Sequence, residues 1–260
     1  MSSASGSRSG PLAGRVALVT GVSRSIGIAV RVAERLHELG ATVFSTGWQA
    51  HDAEMPWGVD PLAELPFSVG QHDLEEPGVP SALVDEVVTA HGRLDLLIAV
   101  HARSSAMSFA EVDATELDRC WAANVRSVVL LAQRFAERHA PAPIDRPPIG
   151  RMIWFTSGQH LAPMDGEIAY AVAKGALHQM TRSIDHALAR SRIVANCINP
   201  GPVDTGYASG EIRAAIADRF PDRRWGTPDD VANVVAFLVS DEGAWIRGQV
   251  IDAEGGFDRF

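Results

Sequence analysis

The 260-residue chain reads as an α/β protein built on a parallel sheet, wound with helices on both faces. Three observations predict this. The run Arg15-Val16-Ala17-Leu18-Val19-Thr20 is apolar and rich in β-branched residues, with no polar alternation, the pattern of a strand buried on both faces of a parallel sheet. It passes directly into a glycine-bearing turn, Gly21 to Gly27, and then into a long helical pattern from Ile28 to Leu39 that Gly40 ends. A length of 260 residues with 46% apolar content supplies one large core.

Composition narrows the function classes. A formal net charge of −9 argues against a general nucleic-acid or anionic-membrane partner. Two cysteines, Cys120 and Cys197, make no disulfide framework and fit a reducing compartment. No apolar run approaches the ~20 residues that span a bilayer. Residues 1–10 are rich in Ser and Gly and lack the apolar segment of a signal peptide, so they read as a disordered tail on a cytoplasmic protein. Nothing in the sequence calls for a metal.

The remaining elements follow in order. Thr42-Val43-Phe44-Ser45-Thr46 is a second strand, followed by Gly47-Trp48. From Gln49 to Pro66 the composition is irregular and reads as a long loop on the side of the first turn. Phe67-Ser68-Val69 leads to His72-Asp73-Leu74, where the aspartate can cap the next turn. Leu94 to Val100 is another buried strand, ending at Val100-His101-Ala102. The span from about Thr115 to His139 is apolar at helical spacing and holds Asn124, a residue that competes for backbone groups inside a helix. Pro141 to Gly150, with four prolines, is a surface connection into the strand Arg151-Met152-Ile153-Trp154-Phe155. Ile193 to Ile198 is a strand that enters Asn199-Pro200-Gly201-Pro202-Val203-Asp204-Thr205. Thr227-Pro228-Asp229-Asp230 opens a helix with proline at its first position and a capping-box arrangement, and that helix ends near Ser240. Gly248 to Asp252 is the final strand.

The chemistry concentrates between Ser157 and Lys174. Lys174 is the only lysine, and it stands four residues after Tyr170, one of two tyrosines. In a helix those positions share a face, so the ammonium can favour the phenolate and lower the tyrosine pKa. A tyrosine so tuned exchanges protons near neutral pH. Ser157, at the end of the preceding strand, can be brought beside it by the returning loop. The first strand, glycine turn and helix N-terminus form the geometry that holds a phosphate.

Thr20-Gly21, Ile26-Gly27, Ser157, Tyr170 and Lys174 together resemble the short-chain dehydrogenase/reductases, and the likeness runs from Leu12 to Phe257. It implies a Rossmann-type doubly wound domain over residues 11–260 with about seven strands, and a substrate lid around 204–224. It implies a catalytic set of Ser157, Tyr170, Lys174 and Asn124, the last supporting a water-linked proton relay. It also implies cofactor contacts from Gly21, Ser23, Arg24, Ile26, Gly27, Trp48, Asp73, Leu74, His101, Tyr170, Lys174, Pro200, Gly201, Val203 and Thr205. Two departures stand out. Ser25 replaces the middle glycine of the cofactor loop, and Ala99-Val100-His101-Ala102 replaces Asn-Asn-Ala-Gly, with His101 expected to re-satisfy the turn's backbone or to contact the nicotinamide ribose.

No carboxylate follows the second strand and Arg24 lies in the loop, so NADP(H) is favoured, with NAD(H) possible. The implied reaction is hydride transfer between a nicotinamide cofactor and a carbonyl or secondary alcohol, of ketone or 3-ketoacyl-reductase type. A non-catalytic dinucleotide-binding regulator is one alternative. An enoyl reductase is another, although such enzymes space tyrosine and lysine farther apart. Gly158 to Met164 and the lid would set the substrate, with Gln159, His160 and Met164 suggesting a mixed pocket. The lid's Arg213, Arg219, Arg223 and Arg224 would either meet an acidic substrate or form a solvated surface. The resemblance further implies a dimer or tetramer.

Overall fold

A computed structural model describes residues 9–62, 64–140, 150–208 and 210–260. Most of the expected tail (1–8) and nearly all of the proline-rich connection (141–149) lie outside the described residues. Seven parallel strands form one sheet: β1 (Val16–Thr20), β2 (Thr42–Gly47), β3 (Val69–Gln71), β4 (Leu96–Ala99), β5 (Gly150–Phe155), β6 (Ile193–Asn199) and β7 (Val250–Asp252). Their order is β3-β2-β1-β4-β5-β6-β7, each strand parallel to its neighbours. The winding reverses between β1 and β4, where Thr20 lies in register with Ala99. In open α/β sheets a crevice opens at that point beyond the carboxyl ends of the strands.

The unbroken apolar runs now have a cause. Ala17 and Val19 of β1 face a cluster with α1 (Ile28–Glu38) and α8 (Pro228–Val239), while Val16 and Leu18 face one with α3 (Val79–His91), α5 (Ser127–Arg138) and α6 (Ile168–Leu188). Both sides of each central strand are therefore covered, and no position is left for a polar face. The capping box forms as read: the Asp230 amide donates to the Thr227 hydroxyl at 3.2 Å, and the Thr227 amide to the Asp230 carboxylate at 2.8 Å.

Three elements differ from expectation. Residues 49–54, expected as loop, form a short helix α2 (Gln49–Glu54), where the buried Asp52 accepts the Trp57 indole N–H at 3.1 Å. Helix α3 was not anticipated: it starts at Val79, with Pro80 in its first turn, and stops at Gly92, whose φ of 76° is left-handed. The single helix expected from Thr115 to His139 is α4 (Ala114–Trp121) and α5 joined by a π-helical turn, Ala122–Arg126. Asn124 lies in that turn. Helix α7 (Gly210–Ala217) lies within the span expected as the lid.

Candidate active site

The cofactor loop is shaped by close approach of backbone. Gly21 has φ of 85°, and a Cβ there would meet the His101 amide nitrogen at 2.6 Å; one on Gly47 would meet the Val22 carbonyl oxygen at 2.1 Å. The loop leads to the N-terminus of α1, where Gly27 offers no side-chain cap. The Arg24 Nε is buried with no hydrogen-bond partner, and its guanidinium lies 5.8 Å from the Trp57 ring centroid. Tight glycine backbone, an uncapped helix start and an orphaned guanidinium nitrogen fit a phosphorylated dinucleotide.

His101 settles the fate of its turn. Its Nε2 lies 3.1 Å from the Ala123 carbonyl and 2.8 Å from the Ser127 hydroxyl, and its Nδ1 lies 2.5 Å from the Thr20 hydroxyl. A carbonyl can only accept, so Nε2 carries the proton and Nδ1 accepts from Thr20. The ring thus ties β1, the turn after β4 and the π-helical turn together. Burial, with the charge of Lys174, pushes its pKa down to about 3, so it is neutral. Its partners lie on neighbouring elements and not on the backbone of its own turn, and the residue also borders the cleft.

Asn124 is wholly buried and its side chain is spent: the Arg103 amide donates to its Oδ1 at 2.9 Å, and its Nδ2 donates to the Arg103 carbonyl at 3.0 Å. It fixes the segment that follows β4 and does not itself line the cleft. The Arg103 guanidinium packs against Glu116 at 3.1 Å and Glu75 at 3.4 Å.

Ser157, Tyr170 and Lys174 converge. Lys174 is buried and donates to the Phe155 carbonyl at the end of β5, 2.8 Å away, with its nitrogen 5.4 Å from the Tyr170 ring centroid. The Thr156 hydroxyl donates to the Lys174 carbonyl at 2.8 Å, clamping α6 to β5. Ser157 and Tyr170 line the same cavity, and Ser157 draws the pKa of the phenol downward. The expected depression of the tyrosine by the lysine is not found. Burial, reinforced by Glu167, lifts the phenol well above its ordinary value despite the opposing pull of Ser157, while burial pushes Lys174 down to about 8. In this protein desolvation outweighs the pairing.

One cavity of about 820 Å³ holds these features together. Of the residues expected in the site, all line it except Ile26 and Asn124. Ile26 is exposed, and its tip would touch a Cβ placed on Gly206. Asp73 borders the cleft and also caps its own turn by accepting the Glu75 amide at 2.8 Å. Of the three expected substrate residues only Met164 lines the cavity. Gln159 accepts from the Ser157 amide at 3.2 Å, and His160 stacks on His178 with centroids 4.5 Å apart. Arg213, Arg223 and Arg224 pair with Asp204, Asp218 and Asp230, and Arg219 lies over Phe257, which is the solvated-surface reading. Met107 and Glu167, not singled out from sequence, also line the cavity, as does Tyr207 from the span expected as the lid. Glu167 stands three residues before Tyr170, one helical turn away, the only signal that could have found it.

The comparisons agree with this geometry. A family model described as "Enoyl-(Acyl carrier protein) reductase" matches residues 21–258. An uncharacterized oxidoreductase of Bacillus subtilis, YjdA, is 36% identical over 251 residues, covering 94% of this chain and 97% of its own. The chain belongs to the short-chain dehydrogenase/reductase family. A short-chain dehydrogenase of Burkholderia cenocepacia in complex with NADP is 30% identical with a TM-score of 0.79, covering 95% of this chain and 98% of its own. The angucycline C-6 ketoreductase LanV with bound NADP is 30% identical with a TM-score of 0.78, covering 96% and 97%. As a short-chain dehydrogenase/reductase, the protein is an NAD(P)-dependent oxidoreductase. No helix of the described residues is long and apolar enough to cross a membrane.

Proposed function

We propose that the protein reduces a ketone, or oxidises the corresponding secondary alcohol, using NADP(H) in preference to NAD(H). The observation that carries this reading is the Ser157–Tyr170–Lys174 cluster, set in the same cleft as the uncapped N-terminus of α1. When bound, the nicotinamide supplies or accepts the hydride. Tyr170 gives the proton to the carbonyl oxygen, and Ser157 donates a hydrogen bond to that oxygen as charge develops. Lys174 spends one of its three donors on Phe155, leaving two for a ribose, and its charge favours the phenolate that remains after proton transfer. Asn124 acts from behind, by holding the Arg103 backbone.

The NADP preference rests on Arg24, with its unpartnered Nε, and on Gly47-Trp48 where a carboxylate would repel a 2′-phosphate. LanV and the Burkholderia protein, both bound to NADP, support it. Met107, Met164 and Tyr207 favour an apolar substrate body, and Glu167 at the mouth disfavours a carboxylate beside the reacting carbon. The printed description of the matching family raises reduction of a carbon–carbon double bond as a second reading. The placing of Ser157 and Tyr170 in one cavity favours the carbonyl, because both hydroxyls can address one oxygen. The reading includes a dimer or tetramer, supported by exposed Trp121 and Val172 on α4 and α6; a monomer in light scattering would remove that part.

The test is a panel of ketones, secondary alcohols and enones followed at the nicotinamide absorbance. Tyr170→Phe should lower turnover by at least roughly a thousandfold while dinucleotide affinity, read by tryptophan fluorescence, stays within a few-fold. Full activity in that variant overturns the mechanism, and tighter NADH than NADPH overturns the cofactor preference. Dinucleotide binding with no turnover on any substrate favours a regulator.

A further inference from the structure

Ser25, the residue that departs from the family's cofactor-loop glycine, is not idle. Its hydroxyl donates to the Asp60 carboxylate at 2.7 Å, and the same carboxylate oxygen accepts the Ile26 amide N–H at 3.2 Å. These two donors belong to the turn that opens α1, where a helix start presents backbone N–H groups to an anion. Asp60 reaches them from the segment after α2, which closes over the same loop as Trp57 meets Arg24. The contact holds the carboxyl of Asp60 below its ordinary value, chiefly through the Ser25 hydroxyl. A fixed negative charge therefore sits on the turn before α1, outside the cavity lining but next to its members Arg24 and Gly27.

We propose that Asp60, clasped by Ser25 and the Ile26 amide, is an internal anion at the phosphate-binding turn, and that residues 55–62 form a strap which dinucleotide phosphates displace on binding. The inference rests on the dinucleotide reading above and adds an element to it. It explains why a serine stands in the cofactor loop: glycine there would leave Asp60 with a backbone contact alone. It also makes cofactor affinity a difference between two anions competing for one turn, so the strap's own stability is subtracted from the binding of the dinucleotide.

Asp60→Asn separates charge from shape, because the asparagine oxygen still accepts from Ser25 while the negative charge is gone. Removing one charge beside a pyrophosphate should tighten NADPH by roughly tenfold at low ionic strength, and salt should shrink the gain. Ser25→Gly should move affinity in the same direction. Adenosine, which carries no phosphate, should bind the wild type and both variants alike. Hydrogen exchange should show residues 55–62 exchanging faster when NADPH is present and unchanged with adenosine. Wild-type binding of NADPH with unchanged or weaker binding by Asp60→Asn overturns the strap and leaves the dinucleotide reading standing. Failure of wild type and variants alike to bind either dinucleotide overturns both.

Discussion

His101 carries a consequence for behaviour in acid. Its folded pKa, pushed down to about 3, lies below the value of 6.5 for the free ring, so between those values the unfolded chain binds the extra proton. Stability should therefore fall as pH drops from 6.5 towards 3, by up to about 1.4 kcal/mol per pH unit from this ring. Urea unfolding at several pH values reads the slope. His101→Asn, which does not titrate, should flatten it, and an unchanged slope would show that other groups govern acid unfolding. The residue scale is also where sequence and structure diverge most. The i,i+4 spacing of Tyr170 and Lys174 placed both on one face correctly, but the sign of the effect on the tyrosine depended on how much water the fold removes. That quantity belongs to the assembled cleft and is not written in spacing. Ser25–Asp60 was invisible because 34 residues of chain separate Asp60 from the Ile26 amide it accepts.

Among the elements, the π-helical turn between α4 and α5 shows how a locally unfavourable residue is retained. Asn124 is unfavourable in a helix when its amide competes with the helix's own bonds. Here the amide faces the Arg103 backbone and satisfies both a buried N–H and a buried carbonyl. Asn124→Ala should leave both unpaired and cost roughly 2–4 kcal/mol, seen as a lower urea midpoint. A change below about 0.5 kcal/mol would mean that the two groups find other partners. The asparagine in an apolar helical run marked the position, whereas the π turn itself left no trace in the periodicity. The buried strands were legible because both faces of the sheet are covered. Helix α3 was not, because its apolar positions, Leu83, Val84 and Val87, lie close together in a short span behind Pro80. Helix α2 has six residues and a single buried side chain, too little pattern to read.

At the scale of the whole molecule, the last residues of the described chain reach back to the site. Beside Ser157, a Cβ placed on Gly158 would meet the Arg259 guanidinium at 2.5 Å, and Arg259 pairs with Glu254. Glu254 and Asp252 in turn accept from the Asn199 amide, whose oxygen receives the Gly201 N–H of the loop after β6. The serine loop and the loop expected over the nicotinamide are thus braced by one C-terminal segment, an arrangement that sequence order conceals.

Lys174 gives the molecule a built-in reporter. It is the only lysine in the chain, and with its pKa near 8 it holds far more free amine at neutral pH than an ordinary lysine. An amine-selective acylating reagent accordingly has one side-chain target, and peptide mass mapping should find the label there and at the amino terminus alone. A dinucleotide that engages the ammonium should slow labelling at Lys174 and leave the terminus untouched; equal rates with and without NADPH would place the cofactor elsewhere. A single lysine in the cleft thus serves as an occupancy gauge that works without any substrate being known.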